Sequence, residues 1–400
     1  MTTRAVATKH PVAISLHLIE AEMGAFFKER KTCIEAVLLA LLTAEHAFIL
    51  GDPGTGKSLL IRALFGAFPD AEYFEALLSK TLPAEAVLGP YDIPDLRTNG
   101  NFHRKVHGFL PTAKLAMLDE IGKMSPTLGH NLLAILNERL LHEVNGGRSA
   151  VNVPLSTVVG GSNELPTTES DDAAALWDRI LVRIEVKYIQ ETGNFIAMLT
   201  GGKPNITTTI PWADVQDVID NVVPAVKLPT DVMDIIATLR ESLRSLEINP
   251  SDRRWKQSMK LLQANAFLNG RDEATTDDIE VLRHSLWETP SQISAVERAT
   301  LSVSNPIAEE ALTIQEQAEE IAKEIRDSKG LSDASKAKLA TELGGRLKVV
   351  SADLGRLRQK ALSSGASLTK IEDIQARVGG VKAAMFKDLM DMDLAELAKE

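Results

Sequence analysis

The chain is predicted to be an α/β protein: a mostly parallel sheet covered by helices on both faces, followed by an all-α region. Three observations carry this. Apolar strand-like runs alternate with helical patterns up to about residue 190. One of them, Ala47–Leu50, opens directly into Gly51-Asp-Pro-Gly-Thr-Gly-Lys57-Ser58 and then a helix-patterned run, Leu59 to Phe68. Beyond residue 190 the strand patterns stop.

Residues 11–45 read as two helices broken near Gly24, the second with an apolar face of Ile34, Val37, Leu38, Leu41 and Leu42. After the glycine loop and its helix, a short strand is expected at Tyr73–Leu77. An irregular stretch with Pro83, Gly89, Pro90 and Pro94 follows. Asn99-Gly100 between polar segments reads as a hairpin turn. Leu115–Leu118 is a buried strand ending at Asp119-Glu120, and a helix runs from about Pro126 to Leu140. A second hairpin is signalled by Leu141–Val144, Asn145-Gly146-Gly147 and Ser149–Val153. The strand Ser156–Gly160 ends at Ser162-Asn163, and a helix around Ala173–Arg179 leads into a last strand, Leu181–Val186.

Downstream, helices are expected to Leu199 and at Ala213–Val223, Asp231–Leu246, Arg253–Asn269 and Asp277–Trp287, with cap-like Thr230, Ser251 and Thr276. From Asn305-Pro306 onward the chain has one aromatic residue, Phe386, and balanced charge, with 15 Lys/Arg against 17 Asp/Glu. It reads as a helical bundle or arm broken near Gly330, Gly344-Gly345, Gly365 and Gly379-Gly380, with partner docking or oligomerisation as a compatible use.

Composition bounds the function. Net charge is −11, which argues against a generally basic nucleic-acid surface. The single cysteine, Cys33, excludes an intrachain disulfide and a cysteine-rich zinc site. No apolar segment follows Met1–His10 as a signal peptide would require, and Ile34–Leu50 is too short and too charged to span a bilayer. A cytoplasmic location is expected. The eight histidines show no metal-ligand spacing; His103 and His107 lie four apart without a carboxylate partner in sequence.

The glycine loop carries the chemistry. Gly51, Gly54 and Gly56 let backbone wrap phosphate oxygens, and Asp52, Pro53 and Thr55 complete the turn into the helix N-terminus. Lys57 can reach β- and γ-phosphates, and the Ser58 hydroxyl can ligate Mg²⁺. This predicts a nucleoside triphosphate ligand. Asp119-Glu120, closing an apolar strand about sixty residues on, suits Mg²⁺ binding by Asp119, through water, and polarisation of an attacking water by Glu120. Asn163 could orient the same water. Loop, acidic pair and Asn163 each follow a strand, so they should meet at the carboxyl edge of the sheet.

The ordered strings GDPGTGKS, LAMLDEIGKM, NLLAILNERLL, VVGGSNELP, LWDRILVRI and SDRRWKQSMKLLQANAFLNGRD resemble an AAA+ ATPase of the MoxR family, its RavA-like branch in particular, over about residues 12–290. The resemblance implies a P-loop αβα nucleotide-binding domain over residues 1–210, an all-α lid over 211–300 and a C-terminal helical region over 301–400. It implies Gly51–Ser58 as Walker A, Asp119 and Glu120 as Walker B, and Asn163 as sensor 1. Arg179 resembles an arginine finger acting on a neighbour's γ-phosphate, with Arg183 as its rival and Arg139 as a further interface candidate. Arg253 resembles the sensor 2 arginine, with Arg254 its rival.

Implied with these are ATP and Mg²⁺, a hexameric ring with ATP between subunits, chaperone-like work on a client protein and an adaptor with a von Willebrand factor A (VWA) domain. A DNA translocase and a nucleotide-switched scaffold are the other readings; His103, Arg104 and Lys105 keep the first open. Two features depart from the family. Gly122-Lys123 stands where many members have Asn-Arg after Asp-Glu-Ile, and residues 305–400 show none of the β-rich insertion of RavA itself.

Overall fold

Eight of the eleven residues in His46–Leu50 and Thr157–Ser162, two adjacent strands at the middle of the main sheet, are aliphatic, aromatic or glycine, and this apolar character buries them on both sides. The computed structural model describes residues 10–100, 103–142, 150–165, 171–330, 332–364 and 369–390. The chain opens with α1 (Pro11–Phe26) and α2 (Lys31–Leu42), then β1 (His46–Leu50) and α3 (Lys57–Phe65). β2 (Tyr73–Leu77), α4 (Glu85–Leu88) and α5 (Ile93–Asn99) precede β3 (Leu115–Asp119) and α6 (Pro126–Glu138). An antiparallel ribbon, β4 (Leu140–His142) with β5 (Ala150–Asn152), leads to β6 (Thr157–Ser162), α7 (Asp171–Arg179) and β7 (Ile180–Glu185). Helices α8 (Thr192–Thr200), α9 (Trp212–Asp217), α10 (Thr230–Ser245) and α11 (Asp252–Leu268) follow.

The main sheet has the order β2-β3-β6-β1-β7, with every pairing parallel. All residues of β1 and β6 are buried. Because successive side chains point to opposite faces, both faces are covered. Phe48, Leu118, Val158 and Ile180 share a core with Leu132 and Ile135 of α6 and Leu176 of α7.

Two compact units result, residues 1–296 and 297–400, the division falling within α12 (Ile293–Ser304). The second unit consists mainly of α13 (Pro306–Asp327), α14 (Asp333–Ser364) and α15 (Thr369–Met390), packed pairwise around Ile321, Leu343, Leu357 and Ile371. Arg346 of α14 joins Glu320 and Glu324 of α13 at 3.0 and 2.6 Å.

Several local expectations are corrected. The break between the first two helices lies at residues 27–30, where Glu29 is left-handed, while Gly24 sits inside α1. Asn99-Gly100 closes α5 instead of a hairpin: Gly100 is left-handed (φ 73°) and its N–H bonds the Leu96 carbonyl at 3.1 Å. The same backbone preference that suits a hairpin also suits a helix C-terminus. The expected turn at 145–147 lies outside the described residues, although its flanking strands pair Leu140 with Asn152 and His142 with Ala150.

The run expected as a helix over 277–287 is a 3-10 segment, Thr276–His284, capped by Thr275 and Asp278. Neither Gly344-Gly345 nor Gly379-Gly380 breaks its helix. Each glycine costs a helix about 1 kcal/mol, and burial of the aliphatic seam outweighs it.

Candidate active site

Strand register levels the site. Asp119 is paired with Gly161, which also pairs with Ile49, and Leu50 pairs with Ser162. The carboxyl ends of β1, β3 and β6 therefore lie side by side, and the glycine loop, Asp119-Glu120 and Ser162-Asn163 leave the sheet together.

The loop shape depends on its glycines. Gly54 and Gly56 have φ of 82° and 83°. A Cβ on Gly51 would lie 2.5 Å from the Val186 carbonyl oxygen. Thr55 Oγ1 donates to the Asp52 carbonyl at 2.8 Å, and Tyr188 Oη donates to Pro53 O at 3.0 Å. Arg30, buried, donates to Lys187 O at 2.8 Å and Thr55 O at 3.5 Å, tying the loop to the segment after β7. Helix α3 begins at Lys57 with no side-chain cap, so its first N–H groups are available to an anion. Lys57 Nζ is folded onto the loop, donating to Gly51 O (2.6 Å) and Asp52 O (3.2 Å).

Beside the loop, Ser58 Oγ donates to Asp119 Oδ2 at 2.7 Å. These are two hard oxygen donors at the mouth of a phosphate loop, the ligand chemistry Mg²⁺ takes. Glu120 has a left-handed backbone (φ 54°, ψ 40°), which costs a non-glycine residue about 1–2 kcal/mol. Its Oε2 accepts from Ser162 Oγ at 3.3 Å and lies 3.1 Å from Lys123 Nζ. Asn163 Oδ1 is buried without a hydrogen-bond partner, an acceptor aimed at nothing within the described chain.

The sequence analysis names Lys123 and Ser162 without a role at Glu120, which both of them hold, and does not single out Gly161, where a Cβ would sit 2.8 Å from Asp119 Oδ1. Gly160-Gly161 inside a strand was the available signal for the last, since such glycines mark close approach.

The candidate arginines are not at this edge. Arg179 ends α7 immediately before β7, and β7 starts level with His46, the first residue of β1. It is therefore at the opposite edge of the sheet from the loop. Arg179 Nη1 donates to Ala175 O at 3.2 Å, and its Nε has no partner.

Arg253 Nη2 donates to Asn137 Oδ1 at 2.6 Å, and Ser251 Oγ reaches Asp178 Oδ1 at 3.4 Å. Leu136, the residue before Asn137, bonds His46 Nε2 through its carbonyl at 3.0 Å. Arg253 thus shares the far edge with Arg179.

The rivals are internal. Arg254 is buried and donates to five carbonyls, those of Trp177, Asp178, Ile180, Leu181 and Ser285. Arg183, also buried, donates to Trp177 O and Trp287 O and lies 3.8 Å over the Trp177 ring. Burial lowers the proton affinity of both guanidiniums. Arg139 is likewise bound within its own chain, to Leu136 O, Ala44 O (2.8 Å) and Ser156 O (3.1 Å), with His46 Nε2 2.6 Å from Nη1. An interface role for Arg139 is not what this burial supports; it anchors the C-terminus of α6.

A five-stranded parallel sheet of this order, with a phosphate loop and an acidic pair at one edge and a helical domain behind, defines the class of AAA+ ATPases. Residues 15–217 match the family profile of the MoxR domain in the MoxR-vWA-beta-propeller ternary systems, and residues 231–300 match an AAA lid domain. The chain belongs to the MoxR family of AAA+ ATPases.

Two uncharacterized proteins of Methanocaldococcus jannaschii are 34% and 31% identical to it, over 92% and 90% of this chain and 97% and 93% of theirs. The crystal structure of a candidate ATPase from Cytophaga hutchinsonii shares the fold, with a TM-score of 0.55 at 17% identity over 73% of this chain and 93% of that one. Among the described residues no helix is long and apolar enough to cross a membrane.

Proposed function

We propose that the chain hydrolyses ATP with Mg²⁺ at the interfaces of a ring, most simply a hexamer, and uses the cycle to remodel or activate a client protein through a VWA-domain adaptor. The observation that carries the hydrolytic reading is the Ser58–Asp119 contact of 2.7 Å beside an uncapped helix N-terminus. Ser58 and Asp119 would hold Mg²⁺, which neutralises phosphate charge when bound. The loop N–H groups and Lys57 bind the β- and γ-phosphates, Lys57 giving up its bonds to Gly51 and Asp52.

Glu120 polarises the attacking water, and Asn163 Oδ1 accepts one of its hydrogens. Water oxygen attacks the γ-phosphorus, the bond to the β–γ bridging oxygen breaks, and ADP and phosphate leave. Arg179 and Arg253, at the far edge, serve the site of a neighbouring subunit by stabilising the charge on the transferred group.

The adaptor reading rests on the profile's own name, which couples MoxR domains with VWA proteins. A protein client is favoured over DNA by the pairing of the three basic residues after α5. His103 meets Asp95 at 3.2 Å, Lys105 meets Asp92 at 3.6 Å, and Arg104 bonds Gly89 O and stacks over Tyr91. None of them adds to a cationic face.

Glu120→Gln tests the proposal. ATP should still bind while turnover falls by about two orders of magnitude or more. Turnover near that of the parent would remove Glu120 from the mechanism, and stimulation of the parent's turnover by DNA would favour translocation.

A further inference from the structure

The turn after β3 holds a cation that the reaction as described does not use. Lys123 stands three residues after Glu120 in Glu120-Ile121-Gly122-Lys123, and its Nζ lies 3.1 Å from Glu120 Oε2. The same oxygen faces Ser162 Oγ at 3.3 Å. Ser162 Oγ already accepts the Glu164 N–H at 3.2 Å, which leaves its own proton to be given to Glu120.

The backbone is shaped for this clasp. Glu120 takes the left-handed conformation, and the Lys123 N–H bonds back to the Glu120 carbonyl at 2.8 Å, turning the lysine toward the carboxylate. One carboxylate oxygen is thereby engaged by an ammonium and a hydroxyl. An oxygen so engaged accepts a proton from water poorly, and the carboxylate is held where the clasp puts it.

We propose that Lys123 is a positioning residue that holds Glu120 in a resting orientation and so restrains hydrolysis until the pair opens. The proposal rests on the reading of Glu120 as the group that polarises water. Lys123 is about half exposed (47%) and Glu120 less so (22%), so the pair is of moderate strength and the restraint is a few-fold, not a block.

The test uses the full chain with Mg²⁺ and ATP. Lys123→Met should raise kcat about three- to tenfold, as expected when a mostly paired state is released. KM should stay within about twofold, as should the affinity for a fluorescent ATP analogue measured in the Glu120→Gln background. Lys123→Arg, which keeps the cation, should behave like the parent. A kcat for Lys123→Met equal to or below the parent's overturns the proposal, as does a rise of the same size in Lys123→Arg. If Glu120→Gln itself retains turnover, the fault lies in the underlying reading of Glu120, and the clasp falls with it.

Discussion

His46 and Ile180 are Cα partners at the first positions of two neighbouring parallel strands. That pairing fixes Arg179, the residue before Ile180, at the edge where β1 begins, whereas the phosphate loop leaves the edge where β1 ends. With a rise of about 3.3 Å per residue, five residues separate the two edges by roughly 15 Å. A guanidinium at Arg179 does not span that distance to phosphates on its own loop. Arg253, held by Asn137 next to the Leu136–His46 contact, is in the same position. Both arginines can serve ATP only from outside the subunit that binds it.

Subunit mixing turns this into a measurement. Lys57→Ala subunits and Arg179→Ala subunits should each be nearly inactive alone. Mixed, they form interfaces that pair an intact loop with an intact finger, and part of the activity should return. The geometry extends the expectation to Arg253→Ala, which should complement Lys57→Ala but not Arg179→Ala within one subunit pair. Failure to recover activity, with both variants assembling as the parent does, would show that the arginines do not act across an interface.

Arg254 predicts a different phenotype from its neighbour in sequence. Its removal leaves five buried carbonyls short of donors at the junction of α11 with α7 and β7. Arg254→Ala should therefore cost about 3 kcal/mol of stability. Arg254→Lys should rescue little, because one ammonium cannot reach both sets of carbonyls that the planar fork spans. Arg253→Ala should change stability by less than about 1 kcal/mol, since it gives up a single exposed contact to Asn137. Equal melting temperatures for the two alanine variants would refute the distinction.

The same pair shows what sequence could and could not convey. The phosphate loop was legible because its glycines, lysine and serine are contiguous and follow an apolar strand. The acidic pair and Ser162-Asn163 were legible as strand-closing polar residues, and the parallel order of strands then placed them together. Arg253 and Arg254 are adjacent on α11, and only the direction in which each side chain leaves the helix separates a buried anchor from a surface group. The Lys123–Glu120 clasp depends on a left-handed residue that is not glycine, for which sequence carries no signal. Asn99-Gly100 misled because left-handed backbone serves helix ends and hairpins alike, and the glycines of α14 and α15 because a packed seam overrides propensity.

The Ser58–Asp119 contact separates metal-dependent from metal-independent binding. Ser58→Ala removes one of the two oxygens that would hold Mg²⁺ and leaves the loop backbone and Lys57 in place. Affinity for ATP in the presence of Mg²⁺ should fall by about tenfold or more, while affinity in the presence of a chelator should change by less than about twofold. Calorimetric titration with and without metal reads both. A uniform loss under the two conditions would mean that Ser58 supports loop shape and not the metal.

Glu22 gives the clearest pH dependence. Its carboxylate accepts from Thr207 Oγ1 and Thr208 Oγ1 at 2.7 and 3.0 Å and from their backbone N–H groups at 2.8 and 3.2 Å, clasping the connector after α8 to α1. The Thr207 hydroxyl bond is the largest of the influences that bring the Glu22 pKa from 4.5 down to about 2. A carboxyl depressed in the folded state stabilises it fully above the unfolded value and loses that contribution as pH falls toward the folded one. The clasp should thus be intact above pH 4.5 and weaken progressively down to about pH 2. Amide exchange at Thr207 and Thr208, corrected for intrinsic rates, reports it directly. Protection should be higher in the parent than in Glu22→Gln at neutral pH, and the difference should shrink through that window. A difference that persists unchanged at the acid end would mean that the ionised carboxylate is not what holds the connector.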